Sequence, residues 1–190
     1  ILLIYGDITS YPWYDGDVSA YDLVKAIEKL PVNTIRVFIN SYGGETAEGL
    51  AIYNALKRSP AEVITYCDGF ACSAASIVFM AGDKRIMGEA SLLMIHNAWT
   101  FAGGNAEELR KQAEDLDTIS GTAANAYMSV VNISREELES LLAAESWITP
   151  EEAVRMNFAT DIAGTETQAV PTQNVRQLVY GLILQGSATP

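Results

Sequence analysis

Short apolar strand segments alternate with amphipathic helices through the first half of this chain, and that alternation narrows the folds open to it. Ile1 to Tyr5 reads as a buried strand ending at Gly6-Asp7. Ser19, with Asp22 three residues on, is placed to cap a helix carrying Leu23, Ile27 and Leu30, which Pro31 stops. Thr34 to Ile39 is a β-branched strand and Ser41-Tyr42-Gly43-Gly44 a turn. The helix predicted from about Glu45 to Arg58 sets Ala47, Leu50 and Ala51 on one face. Glu62 to Cys67 is a further strand, followed by a turn at Ser73 and an apolar helix from Ala74 through Met80. Lys84 to Met87 and Ser91 to Ile95 are two more strands. Strands separated by helices of roughly 10 to 15 residues favour an α/β layered fold.

The pattern changes after Gly103-Gly104. Leu109, Ala113, Leu116, Ala123, Tyr127 and Val130 recur at helical spacing from Asn105 to Val131, along a charged segment. A helix of that length outruns what one small domain can cover, so it is expected to project and pack on a partner subunit. Folding back on its own core, with a break near Gly121, is the alternative. Ser134 with Glu137, and Thr149 with Glu152 behind Pro150, are spaced as capping boxes. Beyond Asp161 the chain turns polar, and two readings of the tail stand: a last docking helix carrying Val175, Leu178, Val179 and Leu182, or a disordered segment.

At 190 residues one domain is expected. The hydrophobic fraction of 49% and mean hydropathy of +0.11 are high for a chain of this size. No apolar run reaches the roughly 20 residues a membrane helix needs, Ala71 to Gly82 being the longest. That surplus points to surface buried between copies, hence a homo-oligomer. A net charge of −12 argues against nucleic acid, since only 12 Lys and Arg are present and they form no stripe. Cys67 and Cys72 are expected to be reduced core thiols. No signal peptide is visible, and a cytoplasmic setting is expected.

Two residues carry the candidate chemistry. Ser73 lies between a strand and an apolar helix, where a sharp turn exposes a side chain and aims a helix N-terminus at whatever binds. His96, the single histidine, ends the strand Ser91 to Ile95, at the carboxyl edge where ligands meet α/β sheets. A serine hydroxyl needs a base to become a nucleophile, and here only His96 can be that imidazole. A small residue packed at a helix start and a satisfied strand-end histidine is the plainer reading of the same two residues. The Gly44 and Ala74 amides would make a two-donor oxyanion hole, although Gly43-Gly44 is also an ordinary glycine turn. No Gly-Lys-Ser/Thr follows to make a phosphate loop, the serine is not in Gly-x-Ser-x-Gly, and no ligand cluster suggests a metal.

The stretch from Ile1 to Asp161 resembles the ClpP-family peptidases, self-compartmentalising serine proteases with a crotonase-like α/β fold of repeated strand-strand-helix units. Ile39-Asn40-Ser41-Tyr42-Gly43-Gly44 is similar to the family's strand-and-glycine motif, and Gly49-Leu50-Ala51-Ile52-Tyr53-Asn54 to the helix after it. Gly69-Phe70-Ala71-Cys72-Ser73-Ala74 resembles the nucleophile motif and Leu93-Met94-Ile95-His96 the base motif. Pro150-Glu151-Glu152-Ala153, closing at Asp161, resembles the final helix and strand. The resemblance implies a serine endopeptidase acting on unfolded or extended polypeptide, with Ser73 as nucleophile, His96 as general base and Gly44 and Ala74 as oxyanion donors. It implies Gly43, Gly103 and Gly104 at the substrate, and Gly103-Gly104 with the following helix, about 105–131, as the ring-contacting handle. Domain limits of 1–163 with a tail at 164–190 follow, as do heptameric rings stacked as a tetradecamer. No cofactor or metal is implied, nor a membrane. An ATPase unfoldase or phage capsid proteins are the candidate partners.

Two positions depart from the family pattern. Tyr42 stands where proline is usual, and the triad aspartate is matched by Glu145, in Ala144-Glu145-Ser146-Trp147, with Asp161 as runner-up. Glu145, Trp147, Asn97-Ala98-Trp99 and the acidic handle are closer to the phage and prophage branch linked with head maturation. Three other readings compete: a crotonase-like acyl-CoA hydratase or isomerase, a non-catalytic ring subunit, and a signal-peptide-peptidase-like enzyme with a lysine base. For the last, Lys84 and Lys111 sit in no matching motif.

Overall fold

The computed structural model describes residues 1–29 and 32–164. The expected tail helix at Val175 to Leu182, and the Leu30-Pro31 stop signal, lie outside the described residues. A mixed α/β architecture is built on a mostly parallel sheet. At its centre β2 (Thr34–Ser41) pairs in parallel with β3 (Glu62–Cys72), in the register Thr34 opposite Glu62 through Ile39 opposite Cys67. β1 (Leu2–Ile4) flanks β2. Along β2, Ile35, Val37, Ile39 and Ser41 are buried while their neighbours are less so, the period-two pattern of a strand with one face on a core.

The sheet forks beside β3. Its first half pairs with β4 (Lys84–Met87), which carries β7 (Asp161–Ile162) on its outer edge. Its second half pairs with β5 (Leu92–Ile95), from Phe70 opposite Leu92 to Cys72 opposite Met94. β6 (Ser146–Ile148) then adds antiparallel to β5. The predicted end of β3 at Cys67 is therefore corrected: the strand runs on through Asp68-Gly69 to Cys72. Asn40, in an irregular step of β2, supplies the side-chain acceptor for the Phe70 amide at 3.2 Å, so the ladder is bridged where backbone pairing slips.

The helices close the core. Ser19 caps α1 (Ala20–Glu28), its side chain accepting from the Asp22 amide, and Leu23 and Ile27 are buried. α2 (Thr46–Arg58) buries Gly49, Ile52, Ala55 and Leu56, which corrects the expected face: Ala47 and Ala51 are exposed and Leu50 half-buried. The reason is Gly49. A Cβ there would sit 2.9 Å from the Ala74 Cβ, so glycine lets α2 press against α3 (Ala74–Phe79) and turns that side of the helix inward. All six residues of α3 are buried.

α4 (Ala106–Met128) is unbroken at Gly121, and Asn105 and Glu108 form a full capping box at its start. Only its last turns, at Ala124, Ala126 and Tyr127, are buried, against α5 (Arg135–Ala143) and the core. The Thr149–Glu152 box forms at α6 (Pro150–Arg155). At α5, Ser134 accepts from the Glu137 amide without the reciprocal bond, so that cap is a single hydrogen bond and not a box. Among the described residues no helix is long and apolar enough to cross a membrane.

Candidate active site

Ser73 is the single residue between β3 and α3, and its backbone makes the whole turn. It sits at φ 51° and ψ −125°, a region that costs a side-chain-bearing residue roughly 1–3 kcal/mol. Its amide donates to the Met94 carbonyl at 2.8 Å, and its own carbonyl accepts from the Ser76 amide at 2.9 Å. The turn is thus pinned to β5 on one side and to α3 on the other. Because Cys72 lies opposite Met94 in a parallel pair, the chain leaves both strands at the same edge. His96, two residues past Met94, therefore stands beside Ser73, and its Nε2 lies 2.7 Å from the Ser73 Oγ.

Gly43 and Gly44 close the site from β2. A Cβ on Gly43 would meet the Cys72 carbonyl at 2.6 Å and the Ala74 nitrogen at 2.9 Å, so only glycine lets this strand end lie against the nucleophile turn. Gly44 has φ 142° and bridges to Ile8 through the Gly43 carbonyl, which accepts from the Ile8 amide, and the Glu45 amide, which donates to Ile8. That parallel bridge uses the groups flanking Gly44, so its own amide points away from Ile8. Ala74 is the first residue of α3, where an amide has no partner within the helix. Among the described residues neither amide donates to a protein acceptor.

Ser73, His96, Gly43 and Gly44 share one groove of about 640 Å³ with Asp7, Ile8, Thr9, Tyr42, Glu45, Thr46, Met94 and Trp99. Gly103 and Gly104 do not line it. They stand at the entry to α4, where a Cβ on Gly103 would meet nothing within 4 Å. Sequence reasoning missed the wall formed by Ile8, Thr9 and Glu45. Ile8 reaches Gly44 only through tertiary pairing, and no local motif announces it. Glu45 is held below the usual carboxylate range by the Ser10 amide, then by the Thr9 hydroxyl, and so keeps a fixed negative group on the rim.

The third triad position is not assembled. Glu145 follows α5 in a left-handed conformation, φ 50°, with its side chain exposed. Ser146 lies opposite Ile95 at the end of the antiparallel ladder, so Glu145 and His96 are the next residues along its two chains. Yet no hydrogen bond joins them, and among the described residues those of the His96 ring end at Ser73. Asp161 pairs with Ile86 on β4, across the fork of the sheet from β5.

Cys67 and Cys72 are free and buried. Burial lifts their thiols to about 12 and about 11, which leaves Ser73 without a competing thiolate. Among the described residues no group of three His, Cys, Asp or Glu could hold a metal ion.

Residues 17–166 match the family model described as Clp protease. The chain belongs to the Clp protease family. It is 34% identical over 134 residues to an ATP-dependent Clp protease proteolytic subunit of Deinococcus radiodurans, covering 70% of this chain and 66% of that one. It is 31% identical over 143 residues to ATP-dependent Clp protease proteolytic subunit 3 of Rhodococcus jostii, covering 74% and 71%. The matched stretch thus spans about two thirds of these relatives' length. Among the described residues, every strand but β1 lies within the Clp protease match, as does every residue of the Ser73 groove except Asp7, Ile8 and Thr9.

Proposed function

We propose that this chain is a serine endopeptidase that cleaves unfolded or extended polypeptides inside a self-compartmentalised oligomer. The observation that carries the reading is the 2.7 Å approach of the His96 Nε2 to a Ser73 Oγ presented at a strained strand-to-helix turn. Nε2 takes the hydroxyl proton as Oγ attacks the scissile carbonyl, and the Gly44 and Ala74 amides face the oxyanion that forms. The imidazolium then gives its proton to the leaving amine, and water repeats the sequence on the acyl-enzyme. The geometry supports a Ser73–His96 dyad. Glu145 could complete a triad only by turning inward.

Exposed aromatic residues and an apolar groove between α2 and α4 support assembly with further copies. α4 is then the handle of a crotonase-like fold, and the peptidase domain closes by about residue 163. The relatives' names, ATP-dependent Clp protease proteolytic subunits, support an ATP-consuming partner and a role as one subunit of a larger assembly. The finer placement in the phage head-maturation branch rests on Glu145, Trp147, Asn97-Ala98-Trp99 and the acidic α4 alone, and the relatives do not add to it. No observation favours acyl-CoA chemistry.

The test is labelling with a fluorophosphonate and hydrolysis of an unfolded protein substrate. Ser73 is expected to take the label, and Ser73→Ala to lose both label and hydrolysis. An assembled, folded sample that takes no label at Ser73 would overturn the reading.

A further inference from the structure

We propose that Ser76 and Tyr127 are positioning residues that set the direction of the Ala74 amide and hold the nucleophile turn in shape, an inference that rests on Ser73 being the nucleophile. The Ser76 Oγ lies 2.6 Å from the Ser73 carbonyl oxygen and 2.7 Å from the Tyr127 hydroxyl. A carbonyl can only accept, so the one hydroxyl hydrogen of Ser76 is given to Ser73. Tyr127 must then donate to Ser76. The result is a polarised chain with a single direction, Tyr127 O–H to Ser76 O–H to the Ser73 carbonyl, and it is shielded from water, with Ser76 0% and Tyr127 1% exposed. Among the described residues the Tyr127 hydroxyl has no other partner.

The Ser73 carbonyl and the Ala74 N–H belong to one planar trans peptide. Whatever fixes the oxygen of that plane fixes the direction of the N–H on its opposite side. Ser76 therefore orients the oxyanion donor without touching it, and it restrains ψ of Ser73, one of the two torsions that define the strained turn. Tyr127 is itself fixed. Its ring packs edge-to-face on Phe158 at 6.1 Å, and the Phe158 carbonyl accepts from the buried Arg85 Nε at 2.9 Å. α4 also reaches the base: the Ala98 amide, two residues past His96, donates to the Ser120 Oγ at 3.0 Å.

Packing alone does not call for these hydroxyls. α3 reads Ala-Ala-Ser-Ile-Val-Phe, and an alanine and a phenylalanine at the two positions would fill nearly the same space. Removing both partners of a buried hydrogen bond leaves nothing unpaired between them and is often close to neutral for stability. A role in stability and a role in positioning thus predict different behaviour for the double variant.

Ser76→Ala, Tyr127→Phe and the double variant would be compared with the unaltered chain in thermal midpoint, in the rate of fluorophosphonate labelling at Ser73, and in kcat and KM on a peptide. The phosphonate adduct places an oxygen in the oxyanion site, so its rate of formation reads the donor's direction. The double variant is expected to stay folded with KM unchanged while kcat and the labelling rate fall roughly ten- to hundredfold. The second substitution should add little to the first. A folded double variant that labels and turns over at the unaltered rate overturns the inference, as does a lowered midpoint with kcat unchanged. Should Tyr127→Phe alone fail to fold, Ser76→Ala, which removes a single oxygen, decides by the same readout. An unaltered chain that neither labels nor hydrolyses overturns the nucleophile reading itself, a distinguishable result.

Discussion

Ser73 holds a conformation that suits its Oγ and does not suit a residue with a Cβ. At φ 51° and ψ −125° glycine is free of the penalty, while serine and alanine carry it alike. Ser73→Gly and Ser73→Ala should both be inactive, but the glycine variant should be the more stable by about 1 kcal/mol, the strain released less the entropy glycine gives back in the unfolded chain. Urea denaturation of the two variants checks this, and a glycine variant less stable than the alanine variant would mean that the turn stores no strain. The companion question is Glu145. With no bond to His96, its loss is expected to cost little: Glu145→Ala should keep kcat within about tenfold, whereas loss of a group that orients the imidazole costs on the order of 10⁴. Steady-state kinetics on the variant separate the two. Ser73 and His96 were legible in the sequence because a lone histidine leaves no choice of base and the register of β3 with β5 does the rest. The side-chain direction of Glu145 was not. Its place just ahead of the aromatic Trp147 is visible, but the left-handed backbone that turns it to solvent depends on how α5 ends.

Elements read well from the sequence where one period dominated, and less well where small or polar residues interrupted it. α2 shows why: Gly49, Ala47, Ala51 and Ala55 are all small, so hydropathy alone cannot say which side meets α3. The close approach at Gly49 decides it. Asp68-Gly69 has the composition of a turn, yet β3 runs through it because the Asn40 side chain carries the ladder across that step. The longer strand holds both cysteines in the core, and that has a measurable consequence. In the unfolded chain both thiols ionise near pH 9, while burial keeps them protonated up to about 12 for Cys67 and about 11 for Cys72. Between those limits the folded state binds more protons than the unfolded one, so stability is full below about pH 9 and falls as pH rises through that window. Denaturation midpoints followed from about pH 8 to pH 11 should decline, and the decline should be shallower in Cys67→Ala. Comparing slopes isolates the thiol from the buried Tyr127 hydroxyl, which burial shifts in the same direction. Identical slopes would place Cys67 in contact with water.

On the scale of the whole molecule, two properties pull against each other. The face of α2 that turns away from the core meets α4 and the segment after His96 in an apolar groove of about 590 Å³, where Leu50, Trp99, Phe101, Leu116 and Ile119 gather. Trp99 and Phe101 are 65% and 91% exposed, an arrangement that favours cover by another copy. Each copy, however, carries a net charge of −12, so copies repel as they approach. Repulsion between exposed charges reaches about 30 Å at 0.01 M salt but only about 10 Å at 0.1 M, whereas apolar contact is little weakened by salt over that range. Assembly should therefore strengthen as salt is raised, the reverse of an interface held by ion pairs. Sedimentation velocity across those salt concentrations would show the larger species gaining at the expense of the smaller. Leu50→Asp adds charge to the apolar groove and should leave the smaller species dominant throughout, with its circular dichroism unchanged. If the assembled species instead dissolves as salt rises, ion pairs and not the groove hold it together. If the unaltered chain sediments as one small species at every salt concentration, no chamber forms, and Ser73 and His96 would work in an open groove with nothing to guard them.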